Sequence, residues 1–407
     1  SGASQSGFGR SGTVDWQTGS IKTATFTAAN GEGYFCNTTS GSFTVNLPAG
    51  SAGAIVSIQD YNNTFDTNAL TVDPNGTEKI NGGVAGASIG LSAEGQGVTF
   101  VYIDSTVGWR SVQENEFNTA GEAYISATGG TITTSGNFKI HTFTGPGTFC
   151  VSSLATSPAN NNVDYVVIAG GAGTGSRWHA GGGGAGGYRE SPGTTTCYTA
   201  SPLGASPAAA LPVSVQGYPV TVGAGGAGGP APGNNPAPGG GTNSVFSTIT
   251  SEGGGKGGTF NTNGSNGGSG GGGGSGPGNR CGGSGNTPPV SPPQGKNGGN
   301  GSPGSSAGGG GGGAICAGGN SCGTQAGNGG NGATSCITGS PVARAGGGAG
   351  ATPSGSPNFG TGGSGGGGGT GSNGTANTGG GGGGPCGTCD PGGAGGSGVV
   401  IVRYKFQ

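Results

Sequence analysis

The chain has 407 residues, of which 110 are glycine and 29% hydrophobic, with 13 basic and 15 acidic side chains giving a formal net charge of −2. It is long enough for two or three ordinary domains, but only part of it can build an apolar core. No concentrated basic surface is written in it, which argues against nucleic acid and anionic membrane as partners. No apolar run approaches the roughly 20 residues needed for membrane insertion by a helix.

Residues 1–168 hold 24 of the glycines and residues 169–407 the other 86, from 110 − 24, so the sequence changes character near Gly170. The opening SGASQSGFGRSG lacks the pattern of a signal peptide. A start at Ser1 in a chain without methionine reads as a processed terminus or the edge of a fragment. Nine cysteines leave two redox states open. One is local disulfides at an oxidising destination, for which Cys316 with Cys322 and Cys386 with Cys389 are near enough in sequence; the other is free thiols in a particle assembled in cytosol.

An N-terminal extension, 1–12, leads into an all-β module over 13–114. Its short runs of β-branched and aromatic residues (IKTATFTA, GYFCNT, SFTVNLP, AIVSIQDY, ALTVDP, VTFVYID, GWRSVQ) are separated by turn signals. Phe43, Val45 and Leu47 alternate with Thr44 and Asn46, the pattern of a half-buried strand. DPNGT at 73–77 is a turn, because proline fixes one φ and Asn-Gly tolerates positive φ. Amphipathic patterns of helix length are missing, so the module is expected to be a small sandwich or barrel.

The polar residues 115–124 read as a linker. A second β domain follows over 125–407, opening with TITTSG, NFKIHTFTGPGTFCVS and VDYVVIAGG. Lys139, His141 and Thr148 alternate there with Phe138, Ile140 and Phe149 around a GPG turn. Further strands at 218–226, 244–250 and 398–406 lie far apart. The expected fold is therefore all-β, with the second sandwich interrupted by long glycine-rich insertions.

Two conformations suit those insertions. Polyglycine loses more backbone entropy on ordering than any other sequence, which favours a flexible linker. The alternative is a bundle of extended helices with three residues per turn, the polyglycine II form, packed closely because there are no side chains to separate them. Collagen's strict Gly-X-Y period is absent. A strand before the tracts and GVVIVRY after them would pin both ends, and this favours the bundle.

Motifs for chemistry are thin, and neither a catalytic centre nor a cofactor is expected. No GxxxxGK[ST] or GxSxG context occurs, and the histidines are His141 and His179 alone. Cys386 and Cys389 have a metal-binding spacing, but no second pair matches them, so no metal site is expected. After position 170 the acidic residues are Glu190, Glu252 and Asp390, too few for the paired carboxylates of a glycan hydrolase. The richest polar and aromatic cluster in the glycine region is Arg177, Trp178 and His179 with Tyr188, Arg189 and Glu190. Such groups suit sugar rings and surface anions; the structural alternative is that Trp178 and Tyr188 fill the seam between sandwich and glycine helices. The Asn-x-Ser/Thr sequons at Asn37, Asn62, Asn75, Asn263 and Asn373 read as polar turns.

The stretch from SGTVDWQTGSIKTATF through GYFCNTTSGSFTVNLP, TVDPNGTEKINGG and VTFVYIDSTVGWRSVQ resembles modules of tail-fibre proteins from bacteriophages of marine and freshwater bacteria, cyanophages and pelagiphages among them. GGTITTSGNFKIHTFTGPGTFCV, VDYVVIAGGAG, HAGGGGAGGYRES and the terminal GGSGVVIVRY look like the glycine-rich domain that ends many such fibres; a related fold occurs in some animal receptor ectodomains. The resemblance implies an extracellular, virion-borne homo-oligomer, often a trimer, that attaches to a bacterial surface glycan or outer-membrane protein. The sequence departs from a full fibre in showing no virion-anchoring module and no coiled-coil or β-helical shaft. The same modules suit a second reading, a self-assembling extracellular filament in which SGASQSGFGRSGTV adds to a neighbour's sheet.

Overall fold

The computed structural model describes residues 14–112, 123–177, 179–205, 210–230, 237–304, 307–353, 356–387 and 390–407. The N-terminal extension, most of the linker, Trp178 and Cys389 lie outside the described residues. The chain divides into two compact units, with the boundary between Ala123 and Tyr124.

The first unit is a sandwich, not a closed barrel. One sheet holds β1 (Asp15–Trp16), β3 (Glu32–Cys36), β5 (Ile55–Asp60), β8 (Gly97–Asp104) and β9 (Gly108–Ser111). The other holds β2 (Phe26–Thr27), β4 (Thr44–Asn46), β6 (Leu70–Asp73) and β7 (Ile89–Leu91). Up to β6 the chain changes sheet with every strand, so neighbours within each sheet pair in parallel. Only β7, β8 and β9 return antiparallel. Phe43, Val45 and Leu47 enter the core beside Val56, Ile58, Phe100 and Trp109. In the 73–77 turn it is Gly76 that takes positive φ, +58°.

The second unit begins with a sandwich whose strand pairs are all antiparallel. Strands β10 (Ser126–Thr128), β13 (Gly147–Ser153), β17 (Gly217–Thr221), β18 (Ser244–Phe246) and β19 (Ile249–Ser251) form one sheet. Strands β11 (Thr131–Ser135), β12 (Phe138–Phe143), β22 (Val399–Lys405), β14 (Asn162–Ile168) and β15 (Tyr188–Glu190) form the other, and β16 (Leu211–Pro212) also pairs with β14. Phe149, Val151, Val220 and Phe246 meet Tyr165, Val167, Val400 and Val402 between the sheets. The outer face of the second sheet is covered as well: Ile140, Val166, Ile168 and Ile401 pack under Ile337 and the hairpin of β20 (Ala333–Ser335) and β21 (Val342–Arg344). His141 stands inside this doubly covered sheet. Its ring is fully buried, with Nδ1 2.7 Å from the Gly129 carbonyl and Nε2 3.2 Å from the Tyr404 hydroxyl, and burial pushes its pKa down.

The glycine-rich region begins after β14 and ends before β22, two paired central strands, and returns to the sheets between them through β15 to β19. Ile168, at the end of β14, faces Val399, at the start of β22. Between them the tracts form extended helices with negative φ, hydrogen-bonded sideways with a period of three. In helix 180–187, Gly181, Gly184 and Gly187 donate to Gly258, Gly255 and Glu252; Gly182 and Ala185 donate to Gly309 and Gly312; Gly183 and Gly186 donate to Gly382 and Gly379. Its carbonyls accept from Ala172, from Ser269 and Gly272, and from Gly348 and Ala351. Six neighbours therefore surround it, three receiving its N–H groups and three supplying theirs. Helices 169–174 and 307–313 are enclosed in the same way. This is hexagonal packing of polyglycine II helices.

Glycine is required there by contact distance. A Cβ on Gly182 would stand 2.1 Å from the Gly348 carbonyl oxygen, and one on Gly311 2.0 Å from that of Gly183. Side chains appear where a helix meets the perimeter, and asparagine does a particular job. Asn328 Oδ1 accepts the Thr361 N–H (2.9 Å) while the next residue, Gly329, donates to the Thr361 carbonyl (2.8 Å). The same two-bond clip joins Asn331 and Gly332 to Ser364, Asn266 and Gly267 to Ser284, and Asn373 and Gly374 to Ala394. Asn263 and Asn373, the sequon residues of this region, are thus lattice fasteners.

Gly182→Ala should cost about 3 kcal/mol or more, since backbone cannot yield as a side chain can. Gly278→Ala, where a Cβ meets nothing within 4 Å, should stay within about 0.5 kcal/mol of the parent. Urea unfolding of the two variants tests the difference.

Candidate functional site

The cluster expected from sequence separates into two parts, one at each end of helix 180–187. At about 3.1 Å per residue the helix holds them roughly 25 Å apart. Arg177 and His179 lie at the end remote from the sheets, with Trp178 between them outside the described residues. Tyr188, Arg189 and Glu190 form β15, a strand of the second sheet.

The β15 part is interior, which corrects its reading as receptor-binding surface. Tyr188 and Glu190 are 1% and 2% exposed. Glu190 accepts from the Tyr188 hydroxyl (3.0 Å), the Ser201 N–H (2.9 Å) and the Ser335 hydroxyl (2.5 Å). Burial, reinforced by this carboxylate, holds the Tyr188 phenol well above its usual pKa, and burial pushes the Arg344 guanidinium down despite the favourable influence of Tyr188 and Glu190. A second buried carboxylate, Asp164, takes the Ser191 hydroxyl (2.8 Å) and both the N–H (2.8 Å) and hydroxyl (2.7 Å) of Thr196. Arg403 donates from the same region to the Ile337 (3.1 Å) and Thr196 (3.4 Å) carbonyls. These groups tie the 190–205 loop and the β20–β21 hairpin to the sheet. The function they perform is attachment of the lattice, and only Arg189 of the three is partly open to solvent.

The remote end offers the accessible groups. Arg177 is exposed and takes φ +73°, a conformation uncommon outside glycine and asparagine. His179 stacks on Phe260 with ring centroids 4.5 Å apart, and its Nδ1 lies 2.8 Å from the Ser275 hydroxyl. Burial first, and then the charge of Arg177, pushes its pKa down. Phe260 is 40% exposed and Phe359, in another loop of the same end, 55%. Among the described residues of 169–398 the exposed large hydrophobics are these two and Val215, which lies between β16 and β17 on the sandwich. Arg280, whose guanidinium bonds the Asn261 side chain, stands beside them. Sequence reasoning did not single out Phe260, Phe359 or Arg280. The available signal was an aromatic residue flanked by turn formers in GGTFNTN and SPNFGTG.

Cys316 and Cys322 are free and exposed, not joined to each other, and Cys386 is free with its Sγ 3.4 Å from Asp390 Oδ2. Its partner in the sequence reading, Cys389, lies outside the described residues. Among the described residues no group of three or more His, Cys, Asp or Glu side chains is placed to hold a metal ion.

If Glu190 anchors the lattice, Glu190→Ala should cost about 3 kcal/mol or more by stranding three buried donors. Arg189→Ala should change stability by less than about 0.5 kcal/mol. Thermal and urea unfolding of both variants provide the check.

No curated protein matches the sequence. The family model described as "Glycine-rich domain" matches residues 142–405, the span that holds the whole lattice and the second sandwich except β10, β11 and most of β12, and the chain belongs to that glycine-rich domain family.

Proposed function

We propose that this chain is an adhesive subunit of an extracellular fibre, in the manner of a phage tail fibre that attaches to a host bacterial surface. The observation that carries the reading is the placement of side chains. The lattice interior has almost none, so the glycine body is a rigid spacer with nothing on it for chemistry. Exposed aromatic and cationic groups (Phe260, Phe359 and Arg177), with the half-buried Arg280, collect on loops at its remote end, where hydrophobic and guanidinium contacts can meet a glycan or an outer-membrane protein. The mechanism is binding without catalysis. Several copies on one oligomer would turn weak single-site contacts into stable attachment.

One observation favours the second reading, a self-assembling filament. Strand β11 is a sheet edge with four of its five residues exposed, and it carries no charge and no proline. Unprotected edges of this kind invite strand addition. Of the proposed donor, residues 1–14, residues 1–13 lie outside the described residues. Light scattering with electron microscopy separates the two: discrete oligomers support the fibre tip, and open-ended polymers support the filament.

On the adhesive reading, Phe260→Ser with Phe359→Ser should lower binding of the purified oligomer to susceptible cells by tenfold or more. The melting temperature should not change. Full binding by this double variant would remove the remote end as the contact surface.

A further inference from the structure

Among the described residues the hexagonal lattice has a vacant position on one flank. Helix 252–258 is bonded on five sides: to 169–173 through Gly254 and Gly257, to 180–187 through Gly255 and Gly258, to 239–241 through Gly254, to 262–265 through Lys256, and to 269–272 through Gly255 and Gly258. The sixth side is an open groove of about 380 Å³. Gly240 and Gly241 form one wall, Ser265 to Gly267 the other, and the backbone of 252–256 the floor; Thr287 and Pro288 stand at the end nearer the sheets. On the opposite flank the comparable place is filled by this chain's own segment 372–375, which joins its neighbours through Gly383 N–H to Ser372 (2.8 Å) and Gly374 N–H to Ala394 (2.8 Å).

The open position also has unused hydrogen-bonding groups with the lattice's own polarity. Along 252–258 the N–H groups of Gly254 and Gly257 point to one neighbour and those of Gly255 and Gly258 to a second. The third direction belongs to Gly253, Lys256 and Thr259. Gly253 is taken by Asn243 Oδ1 (2.9 Å) and Thr259 by the Thr262 hydroxyl (2.8 Å). The Lys256 N–H has no partner among the described residues, and the carbonyls of Gly241 and Asn266 accept no hydrogen bond there. The period of three directs the Lys256 N–H toward the groove, whose walls carry those two carbonyls.

We propose that this groove is a docking site for a glycine-rich segment of another polypeptide, bound as one more extended three-residue helix of the lattice. Such a segment accepts from Lys256 and donates to the wall carbonyls, completing a pattern already made by 372–375 on the other side. Its inward positions must be glycine, because lattice neighbours elsewhere leave no room for Cβ. At about 3.1 Å per residue the five residues of the floor span roughly 15 Å, enough for about five residues of ligand. Few bonds and a small contact make single-site affinity weak, of order millimolar, so the site would matter on an oligomer that repeats it. Oligoproline has the right helix but no N–H to give and rings where glycine is needed. It is therefore the discriminating control, and an oligosaccharide is the rival ligand.

The test is a titration of the full chain, with its lysine amides selectively labelled with ¹⁵N. The probes are the peptide Ser-Gly-Gly-Asn-Gly-Gly-Ser, hexaproline and maltohexaose. The proposal expects the Lys256 amide resonance to shift saturably with the glycine peptide alone. It also expects the shift to weaken by tenfold or more in Gly240→Leu. At Gly240 a Cβ meets nothing closer than 3.6 Å, the Lys256 Cε, so this variant should block the groove and keep the parent's melting temperature. A Lys256 amide that ignores the glycine peptide up to 20 mM (about twenty times the expected millimolar Kd), a response to maltohexaose or hexaproline instead, or undiminished binding by a folded Gly240→Leu would each overturn it.

Discussion

The second unit depends on one interaction, the hydrogen bond between backbones that no side chain keeps apart. A single such bond contributes only about 1 kcal/mol net, and ordering glycine costs more entropy than ordering any other residue. A lone polyglycine helix would therefore lose. Enclosure changes the balance: in helices such as 180–187 and 307–313 successive N–H groups and carbonyls find partners on all sides, and partnered bonds shielded from water are costly to break. The same enclosure explains why the composition is so narrow, since a methyl group at Gly182 or Gly311 would meet backbone oxygen near 2 Å.

The sandwich makes this affordable. Because Ile168 and Val399 are register partners in adjacent central strands, the first and last glycine helices emerge side by side, and the long excursion is closed at its root. Loops that must be irregular are then fixed by buried polar groups, with Glu190 and Asp164 gathering the donors of the 190–205 and β20–β21 segments. Leaving this root, the body carries its varied side chains chiefly on remote loops. A platform built that way can change its loops with little effect on its packing.

The strands were legible because their β-branched and aromatic runs are strong local signals; Phe43, Val45 and Leu47 fill the core as alternation requires. Parallel pairing in the first unit was not legible, since no local residue records that the chain changes sheet between β3 and β4. The burial of β12 on both faces was not legible either, because alternation along a strand does not record what covers its outer face. Tyr188 and Glu190 looked like surface groups beside a glycine tract and are strand residues under a hairpin. The lattice was visible only as glycine density. Its sharper mark, the spacing in NGSN at 263–266 and NGGN at 297–300 and 328–331, matches the three-residue turn, but its meaning appears only once neighbouring N–H groups are seen on the asparagine oxygens.

Residue-resolved hydrogen exchange on the intact chain tests the lattice most directly. The account predicts that the amides of 181–187 and 308–313 exchange as slowly as those of β22, opening only when the second unit unfolds globally. Exchange of those glycine amides within seconds, while β22 stays protected, would contradict it and return the tracts to flexible linker.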